Sequence, residues 1–123
     1  MEYKNRAMKT VLKFDTMNTL ALPAKFQSDD VRFSDSFTEH FIERFSQPVD
    51  MVFDPFTGFG TTLYIAEKLK RRVFGVEFVL DRVEYVKSIL KNQNSIVCAS
   101  ALKLDEINLP EIDLILRQLE KNN

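Results

Sequence analysis

Four short apolar runs set the rhythm of this chain: Met51-Val52-Phe53 before Asp54, Val73-Phe74-Gly75-Val76 before Glu77, Ser95 to Cys98, and Ile112 to Leu116. Such lengths, rich in β-branched and aromatic residues, predict strands. Between them the apolar residues recur at helical spacing. Phe37, Phe41, Ile42 and Phe45 predict a helix from about Ser36 to Ser46 with one buried face. Leu63, Ala66 and Leu69 predict a second over Thr62 to Lys70, with Glu67, Lys68 and Lys70 outward. Val83, Val86, Ile89 and Leu90 predict a third over Asp81 to Asn92. Capping residues stand at each start: Ser34 or Asp35, Thr61 or Thr62, and Asp81 with Glu84. Pro48 closes the first helix, and Leu109-Pro110-Glu111 makes a turn before the last run. Strands alternating with helices predict an α/β fold with a parallel sheet.

The first 27 residues fit this rhythm poorly. Val11, Leu12, Phe14, Met17, Leu20 and Leu22 are apolar without a clean period, and Pro23 ends whatever they form. Residues 1–27 are therefore expected to form an arm that packs on its own domain or on a neighbour, and residues 28–123 a single small domain.

The candidate chemistry lies between the first strand and the second helix, in Asp54-Pro55-Phe56-Thr57-Gly58-Phe59-Gly60-Thr61-Thr62. Strand, glycine turn and helix N-terminus form the geometry on which nucleotide-type cofactors sit. Gly58 and Gly60 allow positive φ and keep side chains out of the turn. A dinucleotide loop would read G-x-G-x-x-G, but Leu63 stands at the third glycine. The carboxylate of Asp54 would repel a pyrophosphate, whereas it suits an amino-acid ammonium beside a sulfonium. S-adenosylmethionine fits better than NAD. Glu77 closes the second strand at roughly the 20-residue spacing at which such folds place an acid for ribose hydroxyls. Phe78 follows it and is placed to lie against an adenine.

The string from Asp54 to Thr62 resembles the cofactor loop of class I S-adenosylmethionine-dependent methyltransferases, and among them the DNA amino-methylases that make N6-methyladenine or N4-methylcytosine. The resemblance runs from about Phe33 to about Leu116. It implies a Rossmann-like, doubly wound parallel sheet, here partial, with four strands in the order 3-2-1-4 and helices on both faces. It implies that Phe33, Ser34 and Asp35 lie near the methionine part of the cofactor, and that Glu77 holds the ribose. The family's acid after the third strand would bond the adenine amino group. Ser100, beside Ala101, stands there and offers a weaker acceptor. The methyl acceptor implied is a nucleic-acid base, most simply in DNA.

The family's reacting motif is an acid or amide, two prolines and an aromatic, which grips the target amino group and stacks on a flipped base. It is expected after the fourth strand or before the cofactor loop. Arg117-Gln118-Leu119-Glu120 does not match it, and neither does any part of Met1 to Gln27. The fourth strand would also carry an unpaired edge that invites another chain. A homo-oligomer, or a partner carrying the missing half, is expected. Two functions follow: the cofactor-binding part of a methyltransferase, or an inactive binding or assembly module that keeps the same fold.

Composition trims these possibilities. The 123 residues carry a net charge of −1, without the basic excess of a self-sufficient duplex binder. The single cysteine, Cys98, precludes an internal disulfide, argues against a cysteine metal site and reads as a buried, inert thiol. The charged start and lack of a long apolar run point to the cytoplasm and away from membranes. His40 has no catalytic company. The abundance of phenylalanine, with 11 copies, could suggest base stacking, but the helical spacing of Phe37, Phe41 and Phe45 points to core packing first, and Lys68 to Arg72 reads as a solvated helix end.

Overall fold

A computed structural model describes residues 13–117. Four parallel strands form one sheet: β1 (Met51–Asp54), β2 (Arg72–Glu77), β3 (Ile96–Cys98) and β4 (Leu114–Ile115), ordered β3-β2-β1-β4. Asp54 lies opposite Gly75 in the β1–β2 register, so Glu77 stands two residues further toward the carboxyl edge. The chain steps outward from β1 to β3 and then returns to the other side of β1 as β4. Such a reversal opens a crevice at the strands' carboxyl ends. The predicted order is therefore the observed one.

Three helices accompany the sheet: α1 (Asp35–Phe45), α2 (Thr61–Lys68) and α3 (Leu80–Ile89). All three contribute to one core, in which Ile42, Leu63, Ala66, Val83 and Val86 meet Val52, Val73 and Ile96 of the strands. Phe53 and Phe74 stack on the opposite face at 6.0 Å. Helices on both faces were expected, but the described residues place them on one. The β3–β4 connection, whose helix would cover the second face, contains only a 3-10 turn, Ala101–Glu106, kinked at Lys103.

Several local expectations change. Ser34 does cap α1, its hydroxyl accepting from the Phe37 N–H at 3.2 Å. Neither Thr61 nor Thr62 caps α2, because Gly60, at φ 83°, holds the cap position. Val79 holds that position for α3, so Asp81 and Glu84 form no capping box. The phenylalanine face of α1 is not a buried face. Ile42 is buried, but Phe37 and Phe41 are half-buried and Phe45 is 59% exposed. The three rings line up along the helix instead, Phe37 tilted against Phe41 at 4.9 Å and Phe41 stacked on Phe45 at 6.1 Å, and Phe37 packs on Phe33 at 4.7 Å. Cys98 is exposed, at the end of the outer strand β3, not buried. His40 is half-buried against Phe14 and Phe41.

The basic segment after α2 is partly structural. Arg71 donates to Ser46 Oγ at 2.9 Å, to Ser46 O at 2.7 Å and to Leu69 O at 2.8 Å, tying the end of α1 to the start of β2. Glu67 is also engaged, accepting from the Lys91 and Asn92 N–H groups beyond α3. The described part of the arm packs on its own domain. Asn18 donates to Phe33 O and Asp35 Oδ1, and Leu22 and Phe26 pack with Phe59. Residues 1–12 of the expected arm, and Gln118 to Glu120 of the unmatched motif, lie outside the described residues. Among the described residues, no helix is long and apolar enough to cross a membrane.

Candidate functional site

A cavity of about 560 Å³ opens at the carboxyl edge of the sheet. That size suits a small-molecule site. Asp54, Pro55, Phe56, Thr57, Gly58, Thr61, Thr62, Glu77, Phe78, Ser100 and Ala101 all line it. Strand order arranges them: Ser100 follows β3, Glu77 ends β2 and Asp54 ends β1.

Asp54 is 2% exposed. Its Oδ1 accepts from the Phe56 N–H at 2.9 Å, and Thr62 supplies a second bond from α2. Burial pushes its carboxyl up to about 7; these two donors pull against burial, nearby Glu77 adds to the rise and Arg117 opposes it. A buried carboxylate with so little compensation favours a cationic neighbour.

Glu77 is 7% exposed and spans two loops. Its Oε1 accepts from the Gly58 N–H at 2.8 Å and its Oε2 from the Val79 N–H at 2.9 Å. Each oxygen keeps a lone pair for a further donor, such as a sugar hydroxyl. The loop is fixed independently by Thr57, whose N–H donates to Val76 O and whose hydroxyl donates to Asp54 O, both at 3.0 Å. Gly58 takes φ 59°, and an added Cβ would meet only Phe56 O, at an ordinary contact distance of 3.9 Å. Gly60 serves packing: its Cβ would come within 2.9 Å of Val86 Cγ2, on α3.

A sequence model of the family described as DNA methylase matches residues 9–92. The chain belongs to that family. The type II methyltransferase M.BglII of Bacillus subtilis is 29% identical over 98 residues, which cover 76% of this chain and 25% of that protein. A crystal structure of a TehB-like SAM-dependent methyltransferase from Corynebacterium glutamicum shares the fold. Its TM-score is 0.60 at 15% identity, over 95% of this chain and 53% of that one. The chain thus spans about a quarter and about half of these two methyltransferases.

Other expected residues of this methylase-family chain sit outside the cavity. Gly60 is buried beneath the loop, and Ser34 is buried as the α1 cap. The Asp35 carboxylate accepts from Asn18 and Thr19. Phe33 lines a second, apolar cavity of about 310 Å³ with Phe37, Phe41 and Leu116, and Thr62 and Arg117 belong to both cavities. The sequence reading missed three cations around the main cavity: Arg32, Arg82 and Arg117. Two had a signal. Arg82 falls in the first turn of the helix that follows Glu77, and Arg117 follows the fourth apolar run directly. Arg32 had none, because its place depends on the arm: it pairs with Asp30 at 2.8 Å and donates to Leu20 O at 2.7 Å.

Proposed function

We propose that this chain is the cofactor-binding part of a DNA amino-methylase, acting on adenine N6 or cytosine N4. S-adenosylmethionine would lie across the strand tips, adenine toward Phe78, Ser100 and Ala101, ribose hydroxyls on Glu77, and the cationic methionine end beside Asp54. The cofactor supplies an activated methyl group. This chain's residues bind and orient it. The observation that carries the proposal is the pair of buried carboxylates at the tips of adjacent strands, on either side of a glycine turn. Their charge suits a sulfonium and an ammonium and disfavours a pyrophosphate. Family membership supports the base as acceptor. In this proposal the residues that grip the target amino group come from a second copy or from a partner carrying the rest of the fold, in the cytoplasm.

Calorimetry with S-adenosylmethionine tests the site. Asp54→Ala and Glu77→Ala are each expected to weaken binding about tenfold or more, as charged hydrogen bonds of roughly 1.5–3 kcal/mol imply. Unchanged affinity in both variants would show the assignment to be wrong. Protein shown by calorimetry to bind the cofactor is expected to give little or no transfer alone in a tritiated-methyl assay on DNA.

A further inference from the structure

Three cations border the cavity, and they differ in place and in partners. Arg32 is bidentate to Asp30, and Arg82 lies over the Phe59 ring at 4.9 Å, away from the strand tips on α3. Arg117 differs. It follows β4, its side chain is exposed, and its guanidinium lies 4.6 Å from the centre of the Phe56 ring. Among the described residues, no carboxylate comes within ion-pair distance of it. The ring supports the planar group without using its hydrogen-bond donors.

Strand order sets the tips in a row: Ser100 after β3, Glu77 on β2, Asp54 on β1 and Arg117 after β4. The charge sequence is therefore hydroxyl, acid, acid, cation. A ligand with its sugar on Glu77 and its ammonium by Asp54 points its remaining end at Arg117. In S-adenosylmethionine that end is a carboxylate on the carbon that bears the ammonium. The two charged groups of the amino acid would meet two oppositely charged side chains in matching order. We propose that Arg117 binds the α-carboxylate of S-adenosylmethionine and makes the site selective for the intact amino acid. This rests on the cofactor assignment above. A planar guanidinium can take both carboxylate oxygens.

The test measures two ligands by calorimetry on the whole chain: S-adenosylmethionine and its decarboxylated analogue, which lacks only that carboxylate. The unaltered chain is expected to prefer the intact ligand by about tenfold or more. Arg117→Gln should bring the preference close to one, chiefly by weakening the intact ligand. Arg117→Lys should restore part of it, since the charge returns without the fork. The residue is exposed, so these variants are expected to fold. Equal weakening of both ligands by Arg117→Gln overturns the proposal, as does binding of both by the unaltered chain without preference. Binding of neither ligand by the unaltered chain removes the cofactor assignment and this proposal together. If Arg117→Gln leaves the preference intact but weakens duplex DNA binding, the arginine serves a phosphate and the proposal fails.

Discussion

Burial holds the Asp54 carboxyl at about 7, against 3.8 for an ordinary aspartate. Between those values this carboxyl holds its proton more fully in the folded chain than in the unfolded chain. The contribution of Asp54 to stability therefore falls as pH rises from about 4 to about 7. The loss attributable to this one group is at most about 4 kcal/mol. Thermal melts across that range should show the decline in the native chain and a flatter profile in Asp54→Asn. A cationic ligand reverses the preference by favouring the ionised form. Affinity for S-adenosylmethionine should then rise as pH passes through about 7, with proton release on binding at pH 6, and Asp54→Asn should lose both effects. Calorimetry in buffers of different ionisation enthalpy measures that proton directly.

Among the elements, the strand-turn-helix from β1 to α2 divides its two glycines between different tasks. Gly58 needs only its backbone conformation, since the nearest atom to an added Cβ is 3.9 Å away. Gly60 needs conformation and space, because Val86 approaches from α3. Gly58→Ala should cost about 1–2 kcal/mol of strain, and Gly60→Ala about 2–4 kcal/mol as crowding is added. Urea unfolding of the two variants compares them. Equal losses would mean that α3 moves aside freely. This division was not legible in the sequence, where both residues read alike as turn glycines. The strand bearing Asp54 was legible, because a short apolar run ending in an acid has few other fates. The β2 tip was legible for the same reason. Caps were harder to place, because Thr61 and Asp81 look like starts while Gly60 and Val79 hold the positions.

For the whole molecule, the order and the edges of the sheet were legible, and what escaped the sequence was which apolar residues near those edges are covered. Helical spacing marks Phe37, Phe41 and Phe45 as apolar, but cannot say whether anything lies opposite them. In the structure Phe37 and Phe41 line the smaller cavity with Leu116, whereas Phe45 is 59% exposed and Ile115 of β4 is 61% exposed. The exposed Cys98 repeats the point at the other edge. Among the described residues no strand pairs with the outer side of β4, which supports the proposed assembly with another chain. Gel filtration at micromolar concentration should show a species larger than the monomer, and Ile115→Lys should shift it toward the monomer. A native chain that elutes as a monomer there counts against self-association. At the centre, the Glu77 carboxylate belongs to two connections at once, one oxygen to the turn after β1 and the other to the entry of α3. Loosening either segment deprives the same anion of a donor. The floor and the rim of the crevice are thus mechanically one part, joined by a single side chain.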